Sequence, residues 1–288
     1  MRSVAEYETI TVDPLTVNIG AQVDGVDLRS PLSEQQRDEI HDALMRHLVL
    51  FFRDQDLSED QQLAFASAFG PPVSASVDYR PGAKDVLFVN LEDNPDSPPK
   101  ADRWHTDVPF VPLPPDIAVL NMRATPPVGG DTLWLSLYAV HDALSPTLQE
   151  LLTGLKLDLQ LGASRETILE LYGEEYFREV VEPFKGAQHP LVRVHPVTGR
   201  RALYLAGSFM HHIVGLHSDE SAAILALLQS KLDDPNVQCR WRWRQYDVAM
   251  WDERCTNHRA MADHYPHYRM IRRCLAGCGV PLGVADAT

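Results

Sequence analysis

The sequence contains no apolar run approaching the roughly 18 residues that a membrane span requires. It is also short of positive charge. Its 26 Lys and Arg stand against 40 Asp and Glu, a formal net charge of -14. That argues against nucleic acid and anionic membrane surfaces as partners, since both reward clustered cations. The opening Met1-Arg2-Ser3-Val4-Ala5-Glu6 lacks the apolar core of a signal peptide. Cysteine is scarce, and Cys239, Cys255, Cys274 and Cys278 all fall in the last fifth of the chain, unlike a disulfide framework. They read as buried or half-buried free thiols, and a cytoplasmic location is expected. There is no Gly-rich phosphate loop, no internal repeat and no low-complexity tract.

What is present is a chain of 288 residues, long enough for one large domain or two small ones. Short strands are expected at Thr9 to Val12 and between Leu15 and Leu28. Ser33 with Gln36, and Ser58 with Gln61, have the spacing of capping boxes and predict two helices. Between them, His47 to Phe52 is a continuous apolar run, the pattern of a buried strand. From Pro71 to Arg103, Pro, Asp and Asn dominate, with one strand expected at Val86 to Leu91. So long an irregular stretch reads as a binding loop or lid, and we take residues 71–104 to face the substrate.

Further strands are expected at Ile117 to Met122, Thr132 to Leu137, Leu155 to Leu161, Asp247 to Trp251 and Arg269 to Leu275. Leu191 to Val194 and Arg201 to Leu205 flank a hairpin turn. Helices are expected up to about Leu152, over about Arg165 to Val181 and over about Asp219 to Leu232. Val237 to Arg244 alternates strictly, Val, Cys, Trp and Trp against Gln, Arg, Arg and Arg, as a half-buried strand does. Many short strands with helices between them predict a mainly β single domain over 1–288, a sandwich or barrel with helical insertions.

The chemistry concentrates around Trp104-His105-Thr106-Asp107-Val108-Pro109-Phe110. A histidine and an aspartate two apart on an extended segment share a face and can share one metal ion. His258, which would follow a strand, can complete a set of two histidines and one carboxylate. Such a set leaves positions open on the metal, as in non-haem Fe(II) oxygenases. Zinc takes the same three ligands plus water, so the triad alone does not choose the metal. A zinc hydrolase and a non-catalytic jelly-roll binding protein are therefore the competing readings. Arg269, Arg272 and Arg273 read either as anion ligands or as solvated charges on an edge strand.

Trp104-His105-Thr106-Asp107, Gly129-Gly130-Asp131-Thr132-Leu133-Trp134, Trp251-Asp252-x-Arg254-x-x-x-His258 and Arg269-x-x-x-Arg273 occur in that order, with His189-Pro190-x-x-Arg193-x-His195-Pro196-x-x-Gly199 between the second and third. In this the chain resembles the taurine dioxygenase and 2,4-dichlorophenoxyacetate dioxygenase family, from about Leu15 to Gly277. The resemblance implies a double-stranded β-helix (jelly roll) and an enzyme dependent on Fe(II), 2-oxoglutarate and O2. It would hydroxylate a C–H bond of a small organic anion and release succinate and CO2. By the same resemblance His105, Asp107 and His258 match the iron ligands, and Thr132 and Arg269 hold the far carboxylate of 2-oxoglutarate. Arg273 matches an arginine that reaches the substrate anion, with Val108 and Phe209 beside the substrate. A homodimer or homotetramer is implied too. The presence of Asp107 favours hydroxylation over halogenation.

Arginine suits both anions because its planar fork gives paired charge-assisted hydrogen bonds to a carboxylate. Residues four apart on a strand share a face roughly 13 Å apart, so one strand can serve two anions, with Arg272 turned away. The chain departs from taurine dioxygenase in the loop before the iron motif. No histidine lies between His47 and His105, the position that would carry it falls near Ala75, and the family's tyrosine is replaced around Asp78 or Tyr79. A longer or more apolar anion than taurine, an alkyl sulfate, alkyl sulfonate or carboxylate, is expected. His211 and His212 follow Phe209 and read as surface or subunit-contact residues ahead of substrate contacts.

Overall fold

A computed structural model describes residues 7–74, 86–99, 102–161, 165–182 and 186–286. An eight-stranded sheet forms the framework, running Thr11–Pro14, Ala21–Asp24, Val49–Phe52, Val248–Asp252, Pro115–Ala124, Arg269–Cys278 and Pro72–Val73, with Val89–Asp93 also paired to Arg269–Cys278. All pairings are antiparallel except Ala21–Asp24 with Val49–Phe52.

The apolar run at 49–52 shows why this sheet forms. Successive side chains on a strand point to opposite faces. Val49 and Phe51 enter one hydrophobic core and Leu50 and Phe52 another. The second core is closed by the helices Glu34–His47 and Glu59–Ser67, which contribute Ile40, Ala43, Leu44, Phe65 and Ala66. Both helices open on the capping boxes expected of Ser33 and Ser58. The first core is closed by a three-stranded sheet, Gln238–Trp241, Thr132–Ser136 and Thr256–Ala260. Phe51 stacks on Trp241 at 4.2 Å and meets Trp134 edge-on at 5.2 Å. Two further three-stranded sheets complete the structure, Arg201–Leu203 with Val192–Val194 and Leu282–Gly283, and Met210–Ile213 with Lys156–Leu159 and Ala187–Pro190. The β-rich, single-domain jelly-roll architecture agrees with the expectation.

Several expectations need correction. The strand at 86–91 runs instead from Val89 to Asp93, and the one at 155–161 is only Lys156–Leu159. The alternating stretch at 237–244 buries Val237, Cys239, Trp241 and Trp243 as expected, but pairing stops at Trp241. The helix expected from 165 to 181 breaks at Gly173 (φ 82°) and ends in a π-helical turn, Phe177–Val181. Strands Ala187–Pro190, Met210–Ile213 and Thr256–Ala260 were not expected. Cys239, Cys255 and Cys274 are buried free thiols, but Cys278, beyond the left-handed Gly277 (φ 68°), is exposed. Arg269–Cys278 is an interior strand, paired on both sides, so its arginines are not edge charges.

Candidate active site

His258 does not follow a strand; it sits within Thr256–Ala260, opposite Trp134. Its ring is nearly buried, against Trp251 at 4.8 Å. His105 is brought to it by two reciprocal backbone hydrogen bonds, His105 N–H to His258 O at 3.0 Å and His258 N–H to His105 O at 2.9 Å. The two rings are 4.2 Å apart. His105 Nδ1 lies 2.7 Å from the Arg103 carbonyl. A carbonyl only accepts, so Nδ1 carries the proton and Nε2 presents its lone pair.

After His105 the chain leaves its extended path, and Val108 adopts a left-handed φ of 48°. The buried Asp107 carboxylate, just before this bend, faces the two rings. One ligand atom from each of His105, Asp107 and His258 lies within 4.8 Å of the others. Burial, and then the neighbouring His105, hold the His258 imidazole well below the ordinary histidine range, so it is neutral. Burial alone would raise the Asp107 pKa, but neighbouring positive charge, that of Arg273 foremost, outweighs it and holds the carboxylate below its ordinary value. Asp107 Oδ2 and His258 Nδ1 are buried without a hydrogen-bond partner. Two imidazoles and a carboxylate with such orphaned atoms suit a divalent cation.

Neighbouring turns hold this arrangement. Glu253 accepts from Thr106 Oγ1, from the Asp107 N–H at 3.1 Å and from Trp251 Nε1 at 2.8 Å. Burial, then the adjacent Asp107, push the Glu253 pKa well above the usual carboxylate range. The residues of the His-Pro-x-x-Arg-x-His-Pro motif clamp the same region. His189 Nε2 lies 2.9 Å from the Val111 carbonyl, and Arg193 Nη2 donates to the Glu253 carbonyl at 2.7 Å. His195 accepts the Val197 and Thr198 N–H groups at Nδ1, leaving Nε2 to donate to Asp252 at 2.9 Å. Arg254 completes the bidentate pairing with Asp252 at 2.9 and 2.7 Å.

At the far end of the cavity, Gly129 and Gly130 have φ values of 74° and 72°. A Cβ on Gly130 would lie 2.9 Å from Pro126 and 3.1 Å from Arg269, so only glycine lets that arginine pass. Arg269 is 3% exposed. It donates from Nε to the Gly130 carbonyl at 3.1 Å and from Nη2 to Thr132 Oγ1 at 3.4 Å, and it faces Asp93 at 3.5 Å. Trp243 Nε1 also donates to Thr132 Oγ1, at 2.9 Å. At the near end, Arg273 Nη1 donates to Asp107 Oδ1. Arg269, Ile271 and Arg273 share one wall of a cavity of about 300 Å³ that also takes in Thr132, His105 and His258. Arg272 points the other way, as expected, to Gln62 Oε1 and the Leu57 carbonyl, both at 2.8 Å.

The structure thus brings five of the residues singled out in the sequence, His105, Thr132, His258, Arg269 and Arg273, to one cavity, with Asp107 against Arg273 and the two histidines. Val108 and Phe209 are half-buried and pack on the core, Phe209 against Phe110 at 5.0 Å, and neither is among the described residues lining the cavity. Ala75, Asp78 and Tyr79 lie outside the described residues. Sequence reasoning missed Glu253, Asp93 and Trp243. Only Trp243 had a signal, its place on the buried face of an alternating stretch.

A jelly roll that gathers two histidines and a carboxylate beside a cavity fits the class of non-haem iron oxygenases. The family model "Taurine catabolism dioxygenase TauD, TfdA family" matches residues 11–275. The chain is 34% identical to an alkylsulfatase of Acinetobacter baylyi, over 91% of this chain and 84% of that one. It is 34% identical to an alpha-ketoglutarate-dependent sulfate ester dioxygenase of Pseudomonas putida, over 96% and 92%. The crystal structure of a taurine dioxygenase from Burkholderia xenovorans superposes with a TM-score of 0.81 at 33% identity, covering 97% of this chain and 94% of that one. The chain belongs to the TauD/TfdA family of Fe(II)- and 2-oxoglutarate-dependent dioxygenases.

Proposed function

We propose that this dioxygenase acts on alkyl sulfate esters, or on alkyl sulfonates of similar shape, hydroxylating the carbon next to the sulfur-bearing group. His105 Nε2, Asp107 and His258 hold the iron, which when bound supplies O2 activation coupled to conversion of 2-oxoglutarate to succinate and CO2. Arg269 pairs with the far carboxylate of 2-oxoglutarate, and the Thr132 hydroxyl donates to it. Arg273 holds the anionic end of the substrate beside the metal ligands. A hydroxylated sulfate ester then collapses: the carbon–oxygen bond to sulfate breaks, the hydroxyl proton is lost, and an aldehyde and sulfate remain. The zinc-hydrolase reading leaves Thr132 and Arg269 without a role.

The observation that carries the proposal is Arg273, a half-buried guanidinium on the cavity wall whose Nη1 donates to Asp107. The sulfate-ester relatives support the substrate class. The loop before the iron motif, lacking the histidine of taurine dioxygenase, points away from taurine itself. A cytoplasmic homo-oligomer fits the free thiols and the family resemblance; among the described residues no helix is long and apolar enough to cross a membrane. The test is succinate formation with a panel of alkyl sulfates, alkyl sulfonates and carboxylates, with taurine included. Succinate, aldehyde and sulfate should rise together with an alkyl sulfate and stay at background with taurine. Sulfate release without succinate, or succinate driven best by a carboxylate, would reject the assignment.

A further inference from the structure

We propose that Asp158, His211 and His212 form a second metal site, separate from the iron centre, for a borderline divalent cation such as zinc. The argument begins with backbone register. Met210–Ile213 pairs with Lys156–Leu159, with Met210 opposite Leu159, His212 opposite Asp158 and Ile213 opposite Leu157. His211 is therefore an extra residue, a β-bulge. Consecutive side chains on a regular strand point to opposite faces and cannot share a ligand. A bulge sets two residues against one, and here it aims both imidazoles at a single carboxylate.

The resulting geometry is that of a ligand set. His211 Nδ1 is 2.9 Å from Asp158 Oδ2, His212 Nδ1 is 3.6 Å from the same oxygen, and the two Nδ1 atoms are 2.9 Å apart. A tetrahedral zinc with bonds of about 2.0–2.1 Å holds its ligand atoms about 3.3–3.4 Å apart, within the span of these separations. Two Nδ1 atoms at hydrogen-bond distance can satisfy one another only by sharing one proton; a cation satisfies both lone pairs at once. The Asp158 side chain is only 10% exposed, and the same Oδ2 also accepts from Gln160 Nε2 at 2.7 Å; that amide nitrogen lies 3.3 Å from His211 Nδ1 as well and holds the carboxylate on the side the imidazoles occupy. The imidazoles are 47% and 41% exposed, leaving room for water in the fourth position. Imidazole and carboxylate without thiolate suit zinc, nickel or copper(II) rather than calcium or copper(I).

The site also has a mechanical connection to the iron motif. Phe209, two residues before His211, accepts a hydrogen bond from the Gln160 N–H at 2.9 Å and packs on Phe110. Gly207 lies so close to the Trp104 carbonyl that a Cβ there would come within 2.2 Å of it. A cation joining Met210–Ile213 to Lys156–Leu159 would brace the segment that rests against the residue before His105.

The test is zinc binding by the full chain carrying His105→Ala and Asp107→Ala, which removes the iron site. That variant should retain about one equivalent of zinc and melt at a higher temperature when zinc is added. Its cobalt(II) form should show the intense visible bands of a tetrahedral ion. Adding His211→Ala and His212→Ala should abolish the retained zinc, the thermal shift and the bands, and Asp158→Asn alone should weaken zinc binding at least tenfold. Equal zinc retention with and without His211 and His212 would overturn the proposal, as would absence of zinc from the iron-site variant when its circular dichroism matches that of the unsubstituted protein.

Discussion

The two ends of the arginine face on Arg269–Cys278 are built differently. Arg269 is sealed in and touches the Gly130 carbonyl, Thr132 and Asp93, so its guanidinium is oriented before any ligand arrives. Arg273 leans on Asp107, itself a ligand atom donor of the metal triad. The first arrangement suits a co-substrate that never changes, because preorganised donors lose little freedom on binding. On the proposed roles the second would link the substrate anion to the metal through one carboxylate.

The most severe way to break this comparison is at the residue both ends depend on. Asp107→Ala removes a metal ligand and leaves Arg273 without its carboxylate, so both ends should fail together. We expect a loss of more than about 100-fold in kcat/KM, given that even outer partners of metal ligands cost 10–100-fold. The weak visible band formed on anaerobic addition of Fe(II) and 2-oxoglutarate should vanish. His105→Ala should lose the same band while leaving the Asp107–Arg273 pair in place.

The two arginines then separate the ends. Arg269→Ala should raise KM for 2-oxoglutarate by about 30- to 150-fold, since a hydrogen-bonded charge pair is worth roughly 2–3 kcal/mol, and leave KM for the organic anion within a factor of about three. Arg273→Ala should do the reverse, weakening the organic anion about 10- to 30-fold while 2-oxoglutarate binding, followed by its visible band, stays put. If either variant moves both constants equally, the ends are not independent and the comparison fails. Arg273→Lys should recover only part of the loss, because an ammonium cannot reproduce the bidentate fork.

How far this was readable in the sequence depended on polarity. The strand Val49–Phe52 is apolar on both faces and announced itself. Thr256–Ala260 did not, because Thr256, Asn257 and His258 are polar yet buried. Thr256 donates to the Asp252 carbonyl at 2.7 Å and Asn257 to the Leu205 carbonyl at 2.8 Å. Hydrophobic periodicity cannot detect a strand whose buried side chains are polar and satisfied by backbone carbonyls. The metal triad was legible because its spacing falls within one short motif and one distant histidine. Its supports were not: Glu253 lies 146 residues from Asp107, and no local pattern couples them. The bulge at His211 is likewise invisible in sequence, since it exists only in the register of two strands.

The smallest expected effect sharpens the co-substrate end. A hydroxyl has two acceptor lone pairs and one proton to donate. At Thr132 both lone pairs are engaged, one by Trp243 Nε1 at 2.9 Å and one by Arg269 Nη2 at 3.4 Å. Its proton is thereby directed toward the cavity, where on the proposed reading the far carboxylate of 2-oxoglutarate would accept it. Thr132→Val deletes that donor and should raise KM for 2-oxoglutarate about three- to tenfold, the value of one hydrogen bond of roughly 0.5–1.5 kcal/mol. Thr132→Ser, which keeps the hydroxyl, should stay near the unsubstituted enzyme. Trp243→Phe frees one lone pair and lets the hydroxyl rotate, so it should fall between the two. Initial rates at varied 2-oxoglutarate decide this; if Trp243→Phe matches the unsubstituted enzyme while Thr132→Val does not, the indole packs without orienting the hydroxyl.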